Sequence, residues 1–123
     1  MPLELGLFLG AQHFGDAKQR RKICLVLDRE PYRYQKFCSD IAGQDPEAHG
    51  GDPHRAIGLV RDWLQSHATV RMPSGSVIVG RYELFQQQLP WMCRLARLRV
   101  AELTFNDFVY LVSVWLRANE NSP

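Results

Sequence analysis

Apolar residues at Leu3, Leu5, Leu7, Phe8, Leu9 and Ala11 leave the opening segment almost without a polar face, so a helix there is expected to be buried nearly all round. Pro2 suits a first helical position, and Glu4 then falls in the first turn, where the helix dipole favours a carboxylate. Gly6 and Gly10 make one smooth side on which a neighbour can lie close. After a polar, basic connection from Gly15 to Lys22, the run Ile23-Cys24-Leu25-Val26-Leu27 is bounded by Lys22 and Asp28. Such a continuous apolar run between charges predicts a fully buried parallel strand. The loop that follows it carries Asp28, Arg29, Glu30, Pro31, Tyr32 and Arg33, at the strand edge where open α/β sheets take ligands.

The remainder reads as mostly helical. Tyr32 to Ile41 predicts a helix, and the turn-rich stretch from Ala42 to Asp52 leaves room for one very short edge strand near Glu47 to His49, weakened by Pro46. Asp52 and Pro53 form a good N-cap and first-position pair, after which Ala56, Ile57, Val60, Trp63, Leu64 and His67 follow helical spacing. A helix from about Ser76 to Gln88 presents Ile78, Tyr82, Phe85 and Leu89 on one face, and Pro90 is expected to start a shorter helix bearing Trp91, Met92, Leu95 and Leu98. Thr104-Phe105-Asn106-Asp107 resembles a capping box with Asp in place of Glu, opening an amphipathic helix with Phe105, Phe108, Val109, Val112, Trp115 and Leu116. All three tryptophans, Trp63, Trp91 and Trp115, are placed on core-facing sides.

One convincing strand cannot satisfy its own backbone groups when buried. Its partners must come from another chain, from a weakly signalled segment here, or from an upstream half, and the last is the favoured source. At 123 residues the chain is one domain in size, with 46% hydrophobic and 23% charged residues, which excludes wholesale disorder. A formal charge of +2 carries no basic stripe, so nucleic acid is disfavoured; the one basic run, Lys18 to Lys22, reads as a solvated loop. Three cysteines, Cys24, Cys38 and Cys93, without disulfide-like spacing suit a reduced cytoplasmic compartment. No apolar run is long enough for a membrane span, and Cys38, His49 and His54 lack zinc-site spacing, so no metal is expected.

The strings PLELGLFLGA, ICLVLDRE, YRYQKF, SDIAGQD and AHGGDP resemble a group of bacterial proteins with Rossmann-like, TIR-like domains. The resemblance spans nearly the whole chain but about the second half of that family's length, so Met1 looks like an internal methionine of a longer form. It implies a helix-rich α/β fold, a partial Rossmann-like parallel sheet with a C-terminal bundle of about three helices. Residues 1–70 would be the second half of a nucleotide-binding domain, and residues 71–123 a helical extension packed on it as one folding unit. A Glu-[Leu/Ile]-Gly helix start is also shared with nucleoside deoxyribosyltransferases and TIR-type NAD hydrolases, where the glutamate is the catalytic carboxylate. Carried over, Glu4 would stabilise or trap the oxocarbenium-like state of N-glycosidic cleavage. Asp28, Arg29 and Arg33 would contact the phosphate or ribose of the NAD, nucleotide or nucleoside substrate. With the upstream half absent, a free-standing chain of this sequence is expected to be inactive. A different class of function is a non-enzymatic helical module that docks its apolar first helix and strand on a partner protein.

Overall fold

The computed structural model describes residues 2–31 and 46–120. The chain divides into two compact units, residues 1–72 and 73–123.

In the first unit, helix α1 spans Pro2–Phe14 and is followed at once by a single helical turn, α2, Ala17–Arg20. The segment read from sequence as a plain connection is therefore partly helical. Asp16 is the reason: its Oδ1 accepts from the amides of Lys18 and Gln19, both at 2.9 Å, which fills two of the amides a helix start leaves without partners. Gly15 lets the two helices turn tightly, because a Cβ there would run into the Ala11 carbonyl oxygen and lie 2.6 Å from the Cβ of Gln19. Gln12 ties the end of α1 to the next segment by donating to the Lys22 carbonyl at 2.8 Å.

Strands β1, Leu27–Asp28, and β2, Glu47–Ala48, form a two-stranded parallel sheet with Leu27 opposite Glu47 and Asp28 opposite Ala48. The short strand expected near Glu47 is thus present. The long buried strand expected over 22–28 is not: among the described residues only its last two pair, and Ile23 is half exposed. A ladder extends only as far as its partner, and β2 offers two residues. The same shortness explains a second correction. α1 was expected to be covered all round, yet Leu3 and Leu7 are 73% and 67% exposed, since the two short strands among the described residues offer no face broad enough to cover them. Helix α3, Pro53–His67, starts as predicted, with Asp52 Oδ1 accepting the His54 amide at 2.9 Å and Pro53 in the first turn. Its carboxyl end is tied back where the Met72 amide donates to Gln65 Oε1 at 2.8 Å. The helix expected over 32–41 lies outside the described residues.

The second unit is a pair of helices, α4, Gly75–Leu95, and α5, Phe105–Ala118, joined through a 3-10 turn at Val100–Glu102. They run antiparallel, since Arg81 near the start of α4 reaches Asn119 past the end of α5, while Phe85 packs edge-on against both Phe108 and Trp115. The expected bundle of about three helices is therefore two, because α4 continues through Pro90 instead of restarting there. Leu89, Met92 and Cys93 on either side of that proline are buried together with Phe85, Leu111 and Trp115, and this shared core keeps the helix continuous across the missing N–H. Leu98, Leu103 and Val112 complete the cluster. Trp115 donates its indole N–H to Gln88 Oε1 at 2.7 Å, which satisfies the one polar atom of a buried ring. α5 opens on the predicted capping box, with Asp107 Oδ2 accepting from the Thr104 amide at 3.0 Å and from its hydroxyl at 2.6 Å. Among the described residues, no helix is long and apolar enough to cross a membrane.

Candidate functional site

The carboxyl ends of β1 and β2 meet the start of α3, and three backbone bonds weld this edge. The His49 amide donates to the Asp28 carbonyl at 2.9 Å, the Gly50 amide to the Arg29 carbonyl at 2.8 Å, and the Asp52 amide to the His49 carbonyl at 3.0 Å. Gly50 and Gly51 take positive φ values of 65° and 79°, a left-handed pair that needs glycine and reverses the chain from β2 into α3. Gly51 also faces the Arg29 side chain: a Cβ on it would come within 3.5 Å of the Arg29 Nε. His49 Nδ1 accepts the Gly51 amide at 3.1 Å, which fixes the imidazole on the loop and leaves its Nε2 as the donor of the neutral ring.

Asp28 is half-buried and its Oδ1 accepts the Arg29 amide at 2.6 Å. That bond holds the carboxylate against the backbone at the strand end. Arg29 is exposed beside it. Among the described residues, Asp28, Glu30 and Asp52 lie at or beside this edge against Arg29, so carboxylates outnumber guanidinium groups there. Asp52 moreover fills the first turn of α3 with its own negative charge. Such an edge suits hydroxyl donors, a ribose among them, better than a bare phosphate.

Of the residues singled out from sequence, the structure brings Asp28 and Arg29 together at this edge, with His49, from the end of the expected short edge strand, and Gly51, from the turn-rich stretch, as neighbours. The signal for them was the Gly-Gly pair before a good N-cap, which demands a sharp reversal beside the strand end. Arg33 lies outside the described residues. Glu4 is held on a separate element, in the exposed first turn of α1. Its carboxyl sits below the usual value, chiefly through a hydrogen bond from the chain's amino group, then through its own backbone amide, with Coulombic attraction of the amino group adding to both. The first cause is the chain terminus rather than the helix dipole. Glu4 is ionised at neutral pH, the state a nucleophile or oxocarbenium-stabilising group requires.

The other candidates separate cleanly. Arg20 and Arg21 of the basic run donate to the Gly15 and Ala17 carbonyls at 3.0 and 3.2 Å, so they close the ends of α1 and α2. Among the described residues no group of His, Cys, Asp and Glu could hold a metal ion, and Cys38 of the weighed zinc set lies outside them. Trp115 is buried and Trp63 half-buried as expected, whereas Trp91 is 56% exposed. Comparison with protein-family models, with curated proteins and with solved structures finds no match.

Proposed function

We propose that residues 1–72 bind the ribose-bearing part of a nucleotide or nucleoside, NAD among them, along the carboxyl edge of β1 and β2. Asp28 accepts from the ribose hydroxyls, Arg29 meets the phosphate when there is one, and the Gly50–Gly51 turn brings backbone close to the ligand. The supporting observation is the parallel pairing of β1 with β2, which puts both following loops on one edge with a strand-end carboxylate between them. Glu4 is the carboxylate for N-glycosidic cleavage in the longer domain that the resemblance to TIR-like proteins implies, so catalysis belongs to a form carrying the upstream half. In such a form, NAD and deoxynucleoside hydrolysis followed by chromatography is expected to be lost in Glu4→Gln with binding retained. Asp28→Asn is expected to weaken binding itself by about tenfold, the loss of a hydrogen bond to a charged group. Turnover that survives Glu4→Gln removes Glu4 from the chemistry, and an absence of any nucleotide binding removes the whole reading.

A second reading, a module that docks on a partner protein through its first helix, is favoured by the exposed Leu3 and Leu7, one turn apart on α1. It predicts that Leu3→Ser with Leu7→Ser abolishes partner capture while nucleotide binding is unaffected.

A further inference from the structure

The turn that closes α4 combines exposed apolar side chains with a cluster of arginines. Trp91, Leu95 and Val100 are 56%, 67% and 48% exposed. Arg94, Arg97 and Arg99 lie among them and are exposed, and the carboxylate in the same stretch, Glu102, meets Arg99 at 3.2 Å in a pair open to water. Exposed pairs of this kind are weak, so the stretch keeps a positive field.

Arg97 adds an independent observation. The helix ends in a Schellman motif: the Leu98 amide donates to the Cys93 carbonyl at 2.8 Å and the Arg97 amide to the Arg94 carbonyl at 3.2 Å. That motif puts Arg97 at a φ of 56°, the position glycine normally fills, and Arg97 is the one non-glycine residue with positive φ among the described residues. An arginine in that place strains the backbone while its side chain stays exposed, and it is Leu98 that packs against the core. The strain is explained if the guanidinium is needed outside the fold.

We propose that this turn docks on an anionic lipid surface, with Arg94, Arg97 and Arg99 on headgroup phosphates and Trp91, Leu95 and Val100 at the acyl boundary. Charge complementarity sets the sign of the partner, and the interleaved apolar groups set its class. A nucleic acid would use a continuous basic stripe and would leave Leu95 and Val100 in water, whereas a bilayer interface takes cations, an indole and aliphatic groups together. Three arginines and one indole make a peripheral, reversible attachment.

The test is the binding of the whole chain to vesicles of phosphatidylcholine with phosphatidylserine, followed by co-sedimentation and tryptophan emission, against vesicles of phosphatidylcholine alone. The expected result is binding to the anionic vesicles only, weakened by salt, with a blue shift in emission that is absent in Trp91→Phe. Arg97→Gly should bind about fivefold more weakly while its thermal midpoint rises by a few degrees, a pairing that a purely structural role would not produce. Arg94→Gln with Arg99→Gln should lose binding further without loss of fold. Equal binding to both vesicle types, undiminished binding by these arginine variants, or salt-sensitive binding to duplex DNA with none to vesicles would each overturn the proposal.

Discussion

Pro90→Ala distinguishes a continuous α4 from two shorter helices, and the two arrangements give opposite signs. Pro90 lies inside Gly75–Leu95, is exposed, and sits between buried Leu89 and buried Met92. As an interior residue it removes the bond that its N–H would give to the Gln86 carbonyl, and its ring crowds that carbonyl. The ordinary cost is about 3 kcal/mol relative to alanine, part of which is recovered where the turn opens around the ring, so alanine should stabilise the unit by about 1–3 kcal/mol. With a urea dependence of about 1 kcal/mol per molar for a unit this small, the unfolding midpoint should rise by about 1–3 M. Emission from Trp115, buried against Phe85 and bonded to Gln88, reports loss of this core, with Trp63→Phe and Trp91→Phe in the background to isolate it. If Pro90 instead began a helix, its fixed φ would favour the native state and alanine would leave the midpoint unchanged or lower. An unchanged or lowered midpoint therefore refutes the continuous helix.

Thr104→Val removes the acceptor that receives the Asp107 amide and should cost about 1 kcal/mol of stability in urea unfolding. The Thr104 hydroxyl first, and its backbone amide second, hold the Asp107 carboxyl below its usual value. A carboxyl depressed in the folded state contributes stability that is present above its unfolded value and is lost as pH falls through the lower folded value. Urea midpoints should fall through that acidic window in the wild type and fall less in Thr104→Val; parallel curves would show the box to be inert. Gly15→Ala should destabilise residues 1–72 by about 1–3 kcal/mol, because the new methyl has the Ala11 carbonyl and Gln19 in its way, and an unshifted thermal melt would contradict that close approach.

Local signals were the most legible part of the sequence. Asp52-Pro53 and Thr104 with Asp107 place the starts of α3 and α5 because capping is decided within four residues. Features that depend on distant neighbours were not legible. From Phe108 to Leu116, Ser113 is the sole residue that is neither apolar nor aromatic, so periodicity could not choose a face, and buried Leu111 was missed while Phe105, Val109 and Leu116 were expected inside. The run over 22–28 has the composition of a central strand, but its length in the fold is set by β2. At the site, strand-end Asp28 and Arg29 followed from topology, whereas the packing of Arg29 over Gly51 depends on a loop whose left-handed glycine pair is fixed only once β2 is paired.

The claim that the β1–β2 edge receives a ribose-bearing ligand is tested most directly by following backbone amide resonances while NAD, and separately a nucleoside, is titrated into the chain. The expected result is saturable shifts concentrated at Asp28, Arg29, His49, Gly50 and Gly51, reduced in Asp28→Asn. Shifts confined to residues 73–123, or none at any of these five amides up to millimolar ligand, would contradict it.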